Sequence, residues 1–429
     1  MSRIKQLLII CLISTMLLLS LATACTKTSS TTTSTSTTNT LYIGGTFALT
    51  GAYAEDCAAI LAGFQDYAKY INDNHILAPW YPNLTIPSNV NIEVKWADDK
   101  LDPNQALSIY DTLKSQGLLV ERVSGSPQAL ALKQRLIDDR TGATSQAAGP
   151  YLLSPPGTIF ANYPIYTDDF AAVAQWFMSN WKGADKPTYA FLTADNASGQ
   201  SVVTDEMKAY MAELGFNFAG TQTVPLVPTT PPTTQLTWLK QNNVDLTYGF
   251  MINPGAQPTI KEADRLDMGP TRGYKITFSF GTPNHLQVFL PAMGADLAEG
   301  VVVGGGYAPW EDTGAGVKFA NDLQNKYRPD KKITHVMYLD GIVEAMTQVD
   351  ALRLALAQVP ANQQLRPVDV LEYGFYQIKD LDTGGITSTP LTYGPNLIQG
   401  VTQVRVQQVQ NGKIVQVGLY PIANIYKHE

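Results

Sequence analysis

Leu41-Tyr-Ile-Gly-Gly-Thr-Phe47 runs straight into Ala48-Leu-Thr-Gly-Ala-Tyr53, and a helical pattern begins at once. The first seven residues form an apolar run of strand length that reads as a buried strand. Beyond Tyr53, the residues Ile60, Phe64, Tyr67, Ala68 and Ile71 recur at three- and four-residue spacing, which marks one face of a helix. A buried strand that opens into a helix is the building unit of a parallel sheet.

The same alternation extends outward from this stretch. Ile92, Val94 and Trp96 alternate with polar residues and predict a second strand. Asp102-Pro103-Asn104-Gln105 predicts a helix start, with Asp at the N-cap, Pro at the first helical position and Gln where a capping box places it. Leu118-Leu119-Val120 predicts a short strand, which leads through Ser124-Gly125-Ser126-Pro127 to a helix over Leu130, Leu132, Leu136 and Ile137. Further strands are predicted at residues 188–193, 244–251 and 275–280, and helices at 201–214, 256–266 and 285–293. Residues 225–234, rich in Pro and Thr, predict a surface loop. The expected fold class is therefore α/β, with parallel sheets covered by helices on both faces. The tail differs, because residues 401–410 and 413–419 are Val-rich and flank Asn411-Gly412, the strongest short hairpin signal.

Composition narrows the function classes. About 390 residues follow residue 40, more than one ordinary core holds, so two or three domains are expected. The formal net charge is −7, which argues against a nucleic-acid partner and a polybasic membrane face. His75, His285, His335 and His428 are scattered without metal spacing. There is no Gly-x-Ser-x-Gly elbow and no phosphate loop with Gly-Lys-Ser/Thr. Asp98-Asp99 and Asp168-Asp169 are adjacent pairs, and strand neighbours point to opposite faces, so neither pair converges as an acid and a base. No enzyme, no catalytic residue, no cofactor and no metal are expected.

The N-terminus predicts where the protein works. Arg3 and Lys5 precede an almost unbroken apolar run over residues 7–21, then Ala22-Thr23-Ala24 and Cys25. That order reads as a secretory signal, and the run is shorter than the ~20 residues of a spanning helix. A cysteine directly after small residues resembles the bacterial lipobox, in which the cysteine is lipidated and becomes the new N-terminus. Leu21 stands one place before the usual position. A plain secretory signal or an uncleaved anchor are the alternatives. Losing Arg3 and Lys5 with the signal takes the net charge from −7 to −9. Residues 26–40 are Ser or Thr except for Lys27 and Asn39, a tract unable to bury a core. As a flexible tether it has an r.m.s. reach of roughly 20 Å. Cys11 leaves with the signal and Cys25 carries lipid, so Cys57 is alone and reads as a small buried hydrophobe.

Several landmarks occur in a fixed order: Leu49-Thr50-Gly51, Gly63 in its helix, Ile71-Asn72, Ala97-Asp98-Asp99 before Asp102-Pro103-Asn104-Gln105-Ala106, Ser124-Gly125-Ser126, Ala147-Ala148-Gly149, Glu299-Gly300-Val301, Thr392-Tyr393-Gly394-Pro395-Asn396 and Gln410-Asn411-Gly412-Lys413. Together they resemble the extracellular solute receptors of the branched-chain amino acid transport family, with the type I periplasmic-binding-protein fold. The resemblance covers about residues 41–419. It implies a signal peptide at 1–24, a tether at 25–40, one doubly wound Rossmann-like lobe from 41–164 and 307–392, and a second from 165–306 and 393–429. Three crossovers are expected near residues 162–167, 304–307 and 391–395. The implied partners are a small-molecule ligand and an ABC permease with its ATPase, and the chain is expected to be a monomer, extracytoplasmic and lipid-anchored to the membrane. A ligand sensor docking on a membrane receptor is the alternative, since it needs the same closing cleft.

The resemblance also implies a site. Thr50, Gly51 and Tyr53 match the family's first loop. Ser124, Gly125 and Ser126, with Ala148 and Gly149 beside them, match the loops that hold an acidic or strongly polar group. Ser198, Asn253 and Thr282 fall near loop ends of the second lobe, and Tyr307 and Trp310 follow a crossover as a possible aromatic wall. Two departures concern the ligand. The loop Thr277-Phe-Ser-Phe-Gly-Thr-Pro283 has no carboxylate to pair an ammonium, and Asp195-Asn-Ala-Ser-Gly199 has Ser198 in place of the usual tyrosine. An amino acid or related compound is the family's ligand, and a carboxylate or a neutral, partly aromatic compound fits at least as well.

Replacing the lipidation cysteine tests the N-terminal reading. Cys25→Ser is expected to move the protein from the membrane fraction to the soluble fraction. An unmodified N-terminus beyond residue 25 in the intact mass of the native protein would overturn it.

Overall fold

The computed structural model describes residues 39–426, apart from 147–148, 153, 253–254 and 282–284. The signal, Cys25 and the tether up to residue 38 lie outside the described residues. Asn39–Glu429 form one compact unit.

Five parallel strands make the first sheet in the order β2-β1-β3-β4-β5: β1 Asn39–Phe47, β2 Val90–Asp98, β3 Leu118–Val123, β4 Ala143–Ser145 and β5 Ile159–Ala161. The helices between them are α1 Ala54–Asn74, α2 Pro103–Ser115 and α3 Ser126–Asp138. Asp102 caps α2 as its sequence predicts, accepting the N–H groups of Asn104 and Gln105. Gly44 and Gly45 of β1 stand at φ 130° and 138°, a region side chains avoid. A methyl group on either would collide with the backbone of Lys95 or Arg122. The glycine pair therefore lets β2 and β3 close on β1 from both sides.

The second sheet runs β12-β11-β10-β9-β8-β6-β7. Its parallel strands are β6 Thr188–Ala194, β7 Asn217–Val224, β8 Leu246–Gly249, β9 Thr277–Phe280 and β10 Val302–Gly304. The hairpin β11 Gln403–Gln410 and β12 Lys413–Pro421 adds two antiparallel strands at one edge. Asn411 and Gly412 both have positive φ, 51° and 71°, as a two-residue hairpin turn requires. Helices α4 Tyr166–Asn180, α5 Ala197–Gln200, α6 Asp205–Glu213, α7 Thr233–Gln241, α8 Ala256–Arg265, α9 Leu286–Met293 and α10 Ala295–Ala298 accompany this sheet.

Some boundaries differ from the sequence expectation. The helix expected over 201–214 begins at Asp205, because the Thr204 side chain accepts the Met207 N–H and caps it there. Strand β7 and helix α7 were not foreseen. Nor were α11 Ala315–Tyr327, α12 Met337–Leu356 and α13 Pro367–Tyr373, which return the chain to the first sheet. Residues expected to cross at 391–395 still pair there. Leu381 and Leu391 exchange hydrogen bonds, Ala161 N–H donates to Ile398 O, and Gly400 N–H donates to Ala161 O. Among the described residues no helix is long and apolar enough to cross a membrane.

Helix α12 is buried along most of its length and packs on α1. Gly63 and Gly341 make the close approach possible, since a methyl on Gly63 would meet the Tyr338 carbonyl and one on Gly341 the Ile60 carbonyl. The face toward the sheet carries Asp340, Glu344 and Gln348, one helical turn apart and all buried. Arg122 of β3, also buried, donates from Nε to Glu344 Oε2 at 3.1 Å and from Nη1 to Thr46 O at 3.3 Å. Its Nη2 lies 4.0 Å from Asp340 Oδ2. Gln348 Nε2 donates to Glu121 O and to Thr144 Oγ1. Glu344→Ala leaves the Arg122 charge buried without its main partner, and removing one side of a buried ion pair costs about 3–5 kcal/mol. Urea unfolding is expected to show that loss, and a loss under about 1 kcal/mol would mean that the pair does not anchor α12.

Candidate functional site

Every strand of a parallel sheet delivers its following loop to the same edge. In both sheets those edges face one cavity of about 90 Å³. The first sheet contributes Tyr53 after β1, Leu101 after β2, Gly125, Ser126 and Pro127 after β3, and Gln146 after β4. The second side contributes Tyr166 at the start of α4, Asn196 and Ser198 after β6, Leu226 after β7, and Phe250 and Ile252 after β8.

Local chemistry fixes these loops. Asp98 Oδ1 accepts the N–H groups of Leu49 and Lys100, both at 2.9 Å, and Asp99 Oδ1 accepts Leu101 N–H at 2.9 Å. The Ser124 hydroxyl donates to Asp99. The Asp98-Asp99 pair therefore laces the loops after β1, β2 and β3 together. Asn196 Oδ1 accepts Gly199 N–H at 2.9 Å and starts α5. Across the cavity, the Tyr166 hydroxyl lies 3.3 Å from Ser126 Oγ. The Tyr166 ring meets Phe250 at 4.6 Å between centroids and 60° between planes. Tyr248 OH donates to Tyr166 O at 3.2 Å and holds its backbone. Burial, and then Asp56 nearby, raise the Tyr53 phenol well above its usual range, so it presents a neutral hydroxyl.

The structure brings Tyr53, Gly125, Ser126 and Ser198 of the expected residues to this cavity. The others go elsewhere. Thr50 is exposed and donates to Asp98 Oδ2 at 2.5 Å, and Gly51 is exposed beside it. Ser124 is fully buried behind the cavity, with its hydroxyl committed to Asp99. Gly149 is buried against the Tyr151 ring. Tyr307 and Trp310 do not form the aromatic wall. Tyr307 is buried at the crossover, donates to Asp340 and meets the Tyr163 ring edge-on at 4.4 Å. Trp310 leans on Tyr338. Tyr53, Tyr166 and Phe250 supply the aromatic surface instead. Ala148, Asn253, Thr282 and Cys25 lie outside the described residues.

Eight lining residues were not foreseen: Leu101, Pro127, Gln146, Tyr166, Asn196, Leu226, Phe250 and Ile252. Pro127 and Asn196 sat inside stretches already singled out. Leu226 escaped because β7 was unread. Among the described residues no group of His, Cys, Asp and Glu side chains forms a metal site.

A family model described as periplasmic binding protein matches residues 40–413. No curated protein matches the chain. Among solved structures, a branched-chain amino acid ABC transporter protein from Thermus thermophilus with bound valine is 19% identical, with a TM-score of 0.76, covering 90% of this chain and 97% of its own. A fatty acid ABC transporter substrate-binding protein from Thermomonospora curvata is 20% identical, with a TM-score of 0.70, covering 90% and 93%. An ABC transporter solute-binding protein from Rhodopseudomonas palustris BisB5, in complex with 3,4-dihydroxy benzoic acid, is 17% identical, with a TM-score of 0.70, covering 89% and 98%. At these identities the likeness is one of fold.

His285, at the start of α9, gives the second side a pH signature. Burial first, and then His335, pull its imidazole down to about 3. The folded protein keeps it neutral while the unfolded chain protonates it near 6.5, so its contribution is complete above that pH and is lost as pH falls toward 3. Asp168, pushed up to about 6 mainly by burial, acts with the opposite sign as pH rises from about 4 to 6. The difference between wild type and His285→Gln isolates the histidine. Urea midpoints are expected to show wild type losing ground to the mutant below pH 6.5, by up to about 1.4 kcal/mol per pH unit. Parallel profiles would show that His285 is protonated in the native state.

Proposed function

The chain belongs to the periplasmic binding protein family, and on that premise we propose that it is an extracytoplasmic solute-binding lipoprotein of an ABC importer. It captures a small organic molecule and performs no chemistry on it. The observation that carries this reading is the cavity itself, lined from both sheets at the carboxyl ends of their strands. Its lining is mostly apolar and aromatic with a few polar groups, the make-up of small-molecule sites.

Each sheet with its helices acts as a lobe, and the lobes close on the ligand by turning about the crossovers. Bonds tie the crossovers to one another. Asn162 Nδ2 donates to Tyr307 OH at 3.0 Å and to Asp340 Oδ1 at 3.2 Å, and Gly400 N–H donates to Ala161 O at 2.8 Å. Such a bonded axis allows rotation of the lobes without parting them. The closed outer surface is what a permease reads. The Cys25 lipid and the Ser/Thr tether keep the receptor at the membrane while it samples the solution.

Small-angle scattering tests the closure. With a compound that raises the melting temperature, the radius of gyration is expected to fall at saturation. An unchanged scattering curve with a saturated site would overturn the hinge reading.

A further inference from the structure

On the reading that this cavity is the ligand site, we infer that the ligand is a small, flat, uncharged molecule with hydroxyl or amide edges, neither an α-amino acid nor a carboxylate. None of the twelve lining residues is Asp, Glu, Lys, Arg or His.

An anion finds little to hold it. Helix α3 starts at the cavity, but Pro127 removes a backbone donor from its first turn. The Ser124 hydroxyl is spent on Asp99, and the Asp99 carboxylate sits directly behind Leu101, accepting its N–H. The cations nearby are also spent. Lys133 Nζ donates to Tyr151 O and Pro155 O, and Arg122 is held by Glu344. A cation fares no better, since among the described residues no carboxylate lines the cavity. Burying a charge without a partner is far more costly than burying a hydroxyl or an amide.

The walls suit a flat ring. Tyr166 and Phe250 meet at an angle, Tyr53 stands on the other lobe, and Leu101, Leu226 and Ile252 complete an apolar surface. Polar groups are few, neutral and spread around the lining: Ser126, Gln146, Asn196 and Ser198.

Calorimetry on the mature protein decides between the classes, with phenol and benzamide as uncharged probes, and benzoate, L-phenylalanine, L-valine and choline as charged ones. At least one uncharged probe is expected to bind, with benzoate at least about a hundredfold weaker than benzamide. Ser198→Ala, whose side chain supports little else, is expected to weaken that binding by about three- to tenfold, and Phe250→Leu by more. A charged probe that binds as tightly as the best uncharged one, and is weakened by the same variants, overturns the uncharged-ligand inference and leaves the solute-binding reading standing. Binding that neither variant changes overturns the cavity as the site, and with it both readings. Silence of both uncharged probes overturns the inference.

Discussion

The Arg122 guanidinium is the point on which the architecture turns. It projects from β3, lies over the Phe47 ring at 4.8 Å, and reaches Thr46 O, Glu344 and, at the edge of contact, Asp340. Burial opposes its charge, and the neighbouring Glu344 carboxylate more than restores it. Burial and the neighbouring Glu344 raise the Asp340 carboxyl well above its usual range, which favours its protonated form. Arg122 with Glu344 then leaves the cluster close to neutral. A cluster of this kind adds little net stability over an apolar core, because desolvation offsets attraction. Its effect is to permit one seating of α12 on the sheet, since a slide of one turn would set Asp340 or Gln348 against the guanidinium in place of Glu344.

That seating reaches the hinge and the cavity together. Asp340, one turn before Glu344, accepts from Asn162 and Tyr307, which stand on the first and second crossovers. Cys57, in the first turn of α1, lies 3.9 Å from Arg122 Nη1. Tyr53 immediately precedes that helix and enters the cavity. The cluster therefore fixes the bonds between two crossovers and the aromatic residue that the first sheet presents to the cavity.

What the sequence could and could not reveal follows from the range of the rules involved. Strand β1, the Asp102 cap and the Asn411-Gly412 turn were legible because each depends on residues within a few positions. Helix α12 was not, because its inward face carries Asp340, Glu344 and Gln348 where a core face should be apolar, so no single apolar stripe survives. The Gly/Ser loop after β3 was found, but not that Ser124 turns inward to Asp99 while Ser126 turns to Tyr166. Tyr307, expected in an aromatic wall, is buried at a crossover and donates to Asp340. Tyr166 and Phe250, in turn, reach the cavity only because chain segments 84 residues apart in sequence converge, which no local pattern encodes.

An acidic protein with an uncharged cavity has separated two tasks that many binding sites combine. The buried Arg122–Glu344 pair stands behind the cavity and does not line it. On the proposed reading, closure over a neutral ligand strips water mainly from apolar and aromatic surface, which is favourable by roughly 25 cal/mol per Å². It strips little from ions, where the desolvation penalty would oppose closing. Both lobes supply that surface: Tyr53 and Leu101 on one side, Tyr166, Leu226, Phe250 and Ile252 on the other. On the proposed reading, a flat molecule between these walls completes both faces at once, so the free energy of binding and the free energy of closure come from the same contacts.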